Sequence, residues 1–173
     1  MPTLSTLTTL GPYHFFTYAT LLGTSLYQTF VMTKVCYNAL PRSAFTTLNK
    51  RVFPVYFQGQ TLLLALTAAT FPPYGPLSLR RSMGDLLPLA LAGGMAVLNL
   101  VKFGPATQKA MVERGWQETR DGKKASDPDV SDEMRARKKA FSHYHAMSIH
   151  LNLVAIGGMV WYGLRLAARL DFG

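Results

Sequence analysis

VFPVYFQGQTLLLALTAATF, residues 52–71, contains no Lys, Arg, Asp, Glu or His. A helix rises about 1.5 Å per residue and the hydrocarbon core of a bilayer is about 30 Å thick, so roughly 20 apolar residues cross it. Thr17–Thr33 and Leu86–Val101 also lack these residue types, and Phe141–Leu164 contains three histidines but no Lys, Arg, Asp or Glu. These four intervals predict four membrane-spanning helices.

The rest of the sequence leaves room for little beyond these helices and one polar segment. We expect a single transmembrane domain, residues 1–173, of the all-α class. It would be an integral membrane four-helix bundle with a cytosolic arm, part helical and part disordered, between helices 3 and 4. The predicted spans are about 14–38, 52–71, 84–104 and 141–166, and the arm covers about 105–139.

The basic residues are distributed unevenly between the predicted connections. Of 18 Lys and Arg residues, 14 lie in the loops Lys34–Arg51 and Lys102–Lys139, which emerge on the same side of a four-span protein. Cytoplasmic loops carry the Lys and Arg excess, so we expect both loops in the cytosol and both termini in a lumen or outside. This topology explains the net charge of +9 without nucleic acid as a partner.

The compartment is less sharply indicated. The first thirteen residues contain no Lys or Arg, so a cleavable signal peptide is not expected, and the first helix would act as an uncleaved targeting signal. This favours the endoplasmic reticulum, with a mitochondrial membrane as the alternative. The single cysteine, Cys36, cannot form an internal disulfide and is interpreted as a structural thiol.

The connections have their own signals. Pro41–Arg51 has the apolar spacing of a short amphipathic helix at the headgroup boundary. Pro105 predicts a kink where the third helix leaves the membrane, and Gly115–Arg137 has the composition of an exposed linker. Ser131 is expected to cap the helix that enters the fourth span. Residues expected to contact the membrane surface or a partner are Arg42, Lys50, Arg51, Lys102, Lys109, Arg114, Arg135, Arg137, Lys138 and Lys139.

Polar side chains inside the apolar helices must find partners where water is absent. We expect an intramembrane hydrogen-bond network formed by Gln28, Gln58, Gln60, Asn99, His145, Ser148 and Asn152. The open alternative is that some of these groups line a polar cavity. Small residues permit close approach of helices in lipid. Those expected at helix-packing positions are Gly23, Gly93, Gly94, Gly157 and Gly158.

Catalytic, cofactor and metal sites are not indicated. His143, His145 and His150 would suit zinc, copper or iron, but only His143 and His150 share a helix face, about two turns apart, and no carboxylate or thiolate lies nearby in sequence. Asp85, the only acidic residue close to a span, is expected to cap the third helix. We therefore predict no catalytic residue, no metal, no cofactor and no enzymatic activity.

Short motifs in both halves of the chain carry a family resemblance. In order, they are Leu22–Ser25, Leu40–Phe45, Arg51–Phe57, Leu98–Leu100, Gly104–Thr107, Met111–Arg114, His145–Ser148 and Leu151–Leu153. Together they resemble the transmembrane protein 205-like family. The resemblance implies a four-helix integral membrane protein without an agreed biochemical activity. The proline-rich middle loop, His143 and His150 depart from the animal branch, so that branch's association with drug resistance and trafficking is not transferred.

Two functions are consistent with these features. The first is a non-catalytic multi-pass protein, acting as a scaffold or accessory subunit that presents the basic arm to a partner in a membrane complex. The alternative is binding or transport of a small solute or lipid through a polar intramembrane cavity, with a homo-oligomer enlarging the path. Expected partners are membrane lipids, together with other proteins or further copies of the chain.

Overall fold

The computed structural model describes residues 7–169, and every regular element in this range is helical. The helices are α1 (Leu10–Leu26), α2 (Thr33–Ala39), α3 (Arg42–Ala69), α4 (Pro76–Arg81), α5 (Met83–Leu98), α6 (Gly104–Asp121) and α7 (Asp132–Ala167). Two π-helical segments, Tyr27–Met32 and Asn99–Phe103, join α1 to α2 and α5 to α6. The predicted all-α class is confirmed for the described residues.

Three of the helices are long and apolar enough to cross a membrane. They are α3, the continuous helix Met83–Asp121 formed by α5 and α6, and α7. These helices contain the second, third and fourth predicted spans. Helix α1 is 17 residues long and continues through its π-helical segment into α2, and its crossing of the membrane stays a prediction.

Helix α3 corrects one expectation about the first loop. Pro41–Arg51 does not form a separate amphipathic helix, because Arg42–Ala69 is continuous and contains Pro54 in its interior. Pro54 has no N–H to donate to the carbonyl of Lys50, four residues earlier. The side chain of Gln108 donates to that carbonyl from α6. The helix therefore passes its proline without leaving this carbonyl unpaired.

The proline-rich connection after α3 is short, as expected. Residues 70–75 form the turn and the six-residue helix α4 follows. Gly75 has a φ of 64°, and a Cβ at this position would lie 2.7 Å from the carbonyl oxygen of Ala69. Glycine is therefore required at the point where the chain reverses.

The long helix Met83–Asp121 contains a π-helical turn where the sequence predicts a kink. Pro105 cannot donate to the carbonyl of Val101, and the π-helical segment Asn99–Phe103 lies immediately before it. Gly104 also favours this geometry, because a Cβ there would lie 2.6 Å from the carbonyl oxygen of Asn99. The chain continues as helix beyond the proline.

The arm is more ordered than its composition suggests. The linker expected from Gly115 is wrong at its start, since α6 continues to Asp121 and only residues 122–131 connect it to α7. The predicted cap is confirmed: Ser131 Oγ accepts a hydrogen bond of 3.1 Å from the backbone N–H of Met134. We call the antiparallel pair formed by residues 104–144 the arm hairpin.

The apolar core lies among α1, α3, α5 and α7. Its fully buried members include Leu21, Ala92, Met159 and Tyr162. The closest packing is between α5 and α7, where a Cβ on Gly158 would lie 2.8 Å from the carbonyl oxygen of Pro88. This contact places the C-terminal third of α7 beside the first half of α5.

Candidate functional site

Buried and half-buried polar side chains from three helices meet within the apolar segments. We call this group the central polar cluster, formed by Ser25 and the π-helical Thr29 after α1, Tyr56 and Gln60 of α3, and Asn152 of α7. Ser25 and Thr29 are spaced i, i+4, as are Tyr56 and Gln60, so each pair lies on one face of its helix. Asn152 on α7 faces both pairs. The cluster is the main polar feature of the helix interior.

Asn152 is the hub of the cluster. Its Oδ1 accepts hydrogen bonds from the Tyr56 hydroxyl at 2.8 Å and from Gln60 Nε2 at 3.2 Å, and its Nδ2 donates to Thr29 Oγ1 at 2.9 Å. Gln60 Nε2 also contacts the Tyr56 hydroxyl at 2.9 Å and Ser25 Oγ at 3.4 Å. The amide of Asn152 therefore connects α7 to both α1 and α3.

A second amide contact joins α5 to α7 one turn away. Asn99, fully buried in the second π-helical segment, donates from Nδ2 to the backbone carbonyl of Ser148 at 3.0 Å. Two buried acceptors, Gln60 Oε1 and Asn99 Oδ1, have no hydrogen-bond partner among the described residues. Unpaired buried acceptors are costly.

Both π-helical segments contact the same turn of α7. Thr29 in the first segment bonds Asn152, and Asn99 in the second bonds Ser148 O. A π-helical turn adds a residue to one turn of helix and rotates the side chains that follow, and such turns are frequent at functional sites. The two irregular turns therefore aim polar groups at one level of the interior.

A charged cluster lies at the C-terminal end of α7. Asp85 is fully buried, and its carboxylate accepts a hydrogen bond of 2.9 Å from Nε of Arg165 and further bonds from Arg169 Nη2 and Ser82 Oγ. The expected capping role is wrong: Ser82 is the N-cap residue of α5, no side-chain hydrogen bond caps this helix end, and Asp85 in the first turn forms an interhelical ion cluster instead. Local sequence patterns could not predict this pairing, because Asp85 and Arg165 are 80 residues apart.

A buried histidine that the sequence analysis did not select lies near this end. His14 in α1 contacts the carbonyl oxygen of Thr67 at 3.0 Å through Nδ1, and its Nε2 bonds the hydroxyl of Tyr162. The hydroxyl of Tyr18 donates to the carbonyl of Met159 at 2.9 Å. The sequence signal that could have identified His14 is the presence of an ionisable residue just before the uncharged apolar interval Thr17–Thr33.

The structure brings together only part of the predicted intramembrane network. Gln60, Asn99, Ser148 and Asn152 are buried on facing helices. Gln58 and His145 are exposed, Gln28 is half-buried, and none of these three side chains joins the central polar cluster. His145 stacks instead on Phe141, with ring centroids 5.2 Å apart. Ser25, Thr29 and Tyr56 belong to the cluster but were not among the residues predicted from the sequence.

The predicted packing glycines also separate into two groups. Gly158 lies at the tight contact with α5, whereas a Cβ at the other four would meet no atom within 4 Å: Gly23, Gly93, Gly94 and Gly157. Gly93 lines an apolar groove of about 260 Å³ between α3 and α5. Close contacts that the sequence analysis did not predict lie at Gly84, Gly104 and Gly163.

The predicted surface residues lie mostly where they can contact solvent or headgroups. Lys50 and Arg114 are half-buried and the other eight are exposed: Arg42, Arg51, Lys102, Lys109, Arg135, Arg137, Lys138 and Lys139. Arg137 forms an ion pair of 2.6 Å with Glu113 across the arm hairpin. Within residues 7–169, no group of three His, Cys, Asp or Glu side chains could hold a metal ion.

Comparison with known proteins gives a family and one curated relative. Residues 16–115 match the family described as Domain of unknown function (DUF4149). The "Xanthocillin biosynthesis cluster protein D" of Aspergillus fumigatus is 43% identical over 167 residues, covering 96% of this chain and 95% of the relative. No solved structure matches the chain.

These matches correct the family resemblance drawn from the short motifs. Neither the matching family nor the fungal relative points to the transmembrane protein 205-like family, so that assignment is wrong. Each motif is only three to seven residues long, which is too short to identify a family. The match over residues 16–115, together with the nearly full-length relative, shows that this chain belongs to the DUF4149 family.

Proposed function

We propose that the chain is a non-catalytic multi-pass membrane protein, folded as a four-helix bundle, that acts as a scaffold or accessory subunit of a membrane complex. The name of its fungal relative refers to a biosynthesis cluster and specifies no reaction. By analogy, the partner of this chain would be a biosynthetic protein at the cytosolic face of the same membrane.

The observation that carries this proposal is that hydrogen bonds hold the end of the arm hairpin in one conformation. Glu118 Oε1 accepts from the backbone N–H of Ala125 at 2.9 Å, and Asp121 Oδ2 accepts from Ser131 Oγ at 2.6 Å. A small apolar cluster under the connection is formed by Ala125, Val130 and Met134. A connection held in this way presents a fixed surface, which lowers the entropy cost of binding a partner.

Trp116 is the most prominent apolar residue on this hairpin, and 71% of its surface is exposed. Tryptophan is enriched among the residues that dominate binding energy at protein interfaces. On a helix fixed by Glu118 and Asp121, it would reach a partner without further ordering. We therefore place the partner contact on the face of α6 that carries Trp116.

The interior supports a structural role better than a catalytic one. Most polar groups of the central polar cluster are satisfied by each other, and the Asp85 carboxylate is occupied by two guanidinium groups and a hydroxyl. A general acid or base needs access to a substrate proton. We propose that these groups hold the helices together.

The charge distribution supports the topology and compartment that we propose. The 14 basic residues of the two loops favour the cytosolic side for the outer end of the arm hairpin, residues 115–139, with both termini on the lumenal side. An uncleaved first helix favours the endoplasmic reticulum. A mitochondrial membrane is the alternative that organelle fractionation of the full chain would detect.

A photo-crosslinking experiment tests the scaffold proposal. A benzophenone amino acid replaces Trp116 in the full chain in its native membrane, and Tyr74, which is 73% exposed at the opposite end, receives the same probe as a matched control. We expect a discrete adduct with a biosynthetic protein from position 116 and not from position 74. Adducts with lipid alone, or the same adducts at both positions, would contradict the proposal.

Binding of a small solute or lipid inside the helices is the second candidate. The unpaired Gln60 Oε1 and Asn99 Oδ1 favour it, because a bound N–H or O–H group would satisfy either oxygen. A further copy packed against the groove at Gly93 would enlarge the space available.

Native mass spectrometry separates this candidate from the first. A solute bound at the cluster should be retained by the wild-type chain and by Gln58→Leu, and lost from Gln60→Leu. Replacing Gly93 and Gly94 by leucine should abolish both assembly and flux. Retention and flux that are unaffected by these substitutions would exclude the cavity.

A further inference from the structure

Two arginines lie at the same end of neighbouring antiparallel helices: Arg42 begins α3, and Arg114 lies in α6. Helices α3 and α6 have matching contacts at two levels: a Cβ on Gly104 would lie 3.2 Å from the Phe57 ring, and Gln108 bonds the carbonyl of Lys50. Arg42 lies eight residues further out on α3 and Arg114 six residues further out on α6, and the two charges interact. The antiparallel register therefore brings these two side chains to one level.

Arg114 is held in place without an anionic hydrogen-bond partner. Its guanidinium lies over the ring of Phe141 on α7, 4.3 Å from the centroid, and its buried Nε has no hydrogen-bond partner among the described residues. Stacking on an aromatic ring fixes the guanidinium plane while leaving its edge free to donate.

The charges around Arg114 leave a positive excess. The charge of Arg42 acts unfavourably on Arg114, and that of Glu118 acts favourably, but the Glu118 carboxylate already accepts the N–H of Ala125. Glu113 is paired with Arg137, and the first turn of α3 contains no acidic residue. Two like charges are therefore kept together with little local compensation.

The depth of this pair in the membrane follows from helix lengths. At about 1.5 Å per residue, the separations from Asp85 to Arg114 and from Phe141 to Arg169 both correspond to roughly 42 Å, as does the whole of α3. A bilayer with its headgroups is about 40–45 Å thick. If the Asp85 ion cluster lies at one headgroup layer, Arg42 and Arg114 lie at the other.

From this juxtaposition we infer that Arg42 and Arg114 together bind the phosphate group of an anionic phospholipid in the cytosolic leaflet. A guanidinium donates two parallel N–H groups to a phosphate, and a second arginine neutralises the remaining charge. The lipid phosphate would relieve the repulsion between the two arginines. The location in the headgroup layer favours a lipid over free phosphate.

The inference does not depend on the partner proposed for the arm hairpin. Trp116 lies only two residues after Arg114 on α6, so about 200° of helical rotation separates the two side chains. A lipid bound on the α3 side leaves the opposite face of α6 available. Failure of the crosslinking experiment at position 116 would not remove the lipid site, and the converse also holds.

The test uses the full chain in detergent micelles, titrated with phosphatidic acid and followed by native mass spectrometry. The double variant Arg42→Gln/Arg114→Gln is compared with Arg120→Gln/Lys124→Gln, which has the same net charge and loses two exposed basic residues of the arm hairpin. We expect about a tenfold weaker affinity for the first pair, from the loss of charge-assisted bonds. The control pair should retain wild-type affinity.

Several outcomes decide the proposal. Equal weakening in both double variants would show general charge attraction and overturn it, as would equal binding of phosphatidylcholine. Displacement of the lipid by a modest excess of inorganic phosphate would indicate a free-anion site instead. If the double variant does not fold, the exposed Arg42 alone is changed to Gln and compared with Lys124→Gln, and unchanged affinity in Arg42→Gln would overturn the proposal.

Discussion

Asp85 at the start of α5 and Arg165 near the end of α7 form an ion pair, with 2.9 Å between Oδ1 and Nε, although 80 residues separate them in sequence. Asp85 has no exposed surface and the Arg165 side chain is 38% exposed. The pair therefore joins two helices at the edge of the apolar interior. A carboxylate in this position stabilises both guanidiniums that surround it.

Replacing Asp85 by Asn should strongly destabilise the chain. The substitution preserves shape but leaves Arg165 and Arg169 adjacent and uncompensated, and breaking a buried pair typically costs about 3–5 kcal/mol. Partial exposure of the arginines places the expectation near the lower end, at about 3 kcal/mol. Denaturant unfolding in detergent micelles would measure the loss.

The control for this prediction is Asp132→Asn. Asp132 pairs with Arg135 at 3.1 Å, but both side chains are largely exposed, so we expect a change of less than about 1 kcal/mol. Similar losses in both variants would mean that the Asp85 cluster contributes no more than a surface ion pair.

Asn152→Leu should destabilise the packing of α7 against α1 and α3. The substitution removes one acceptor shared by Tyr56 and Gln60 and one donor to Thr29. Interhelical hydrogen bonds in membranes average about 0.6 kcal/mol and reach about 1.7 kcal/mol, so three lost contacts predict a loss of about 2 kcal/mol.

The matched control is Gln58→Leu, which removes an amide from an exposed position on α3. We expect it to unfold at nearly the same denaturant concentration as the wild type. If Asn152→Leu were equally harmless, the central polar cluster would not stabilise the helices, and its polar groups would need another explanation.

Adjacent glycines in α7 give a third prediction. Gly158→Ala introduces a Cβ 2.8 Å from the carbonyl of Pro88 and 3.2 Å from the Ala92 side chain, so α5 and α7 must move apart. Overpacking of this kind costs about 1–3 kcal/mol. Gly157→Ala meets nothing within 4 Å and should be neutral or stabilising by up to about 1 kcal/mol, because alanine favours helix. Thermal unfolding of both variants checks the difference, and equal midpoints would refute the tight contact.

The sequence allowed the apolar helices, the cap at Ser131 and the buried Gln60, Asn99, Ser148 and Asn152 to be predicted. Each depends on local composition or on residue spacing within one helix. The spacing of His145, Ser148 and Asn152 predicts that all three share one face of α7; the structure buries Ser148 and Asn152 but leaves His145 exposed. Local periodicity is sufficient for predictions of this kind.

The sequence could not indicate which helix faces are opposed. Gln58 and Gln60 have the same chemistry, and only the rotation of α3 decides that Gln60 faces inward. The π-helical turn that follows α1 changes the direction in which the side chains after it point, and Thr29 in that turn reaches Asn152. The partners of Asp85 and His14 depend in the same way on contacts between distant segments.

The contact between the two helices of the arm hairpin yields a last prediction. Ser131 Oγ accepts from the N–H of Met134 and donates to Asp121 Oδ2, so it both caps α7 and ties it to the end of α6. Ser131→Ala removes both bonds, and loss of such a cap costs about 0.5–2 kcal/mol. Because the apolar core does not depend on this contact, we expect faster hydrogen exchange confined to residues 117–136 and a nearly unchanged thermal midpoint. Ser142→Ala, at an exposed position of α7, should exchange like the wild type. Wild-type exchange in Ser131→Ala would show that the apolar contacts of Val130 and Met134 hold the hairpin without the serine.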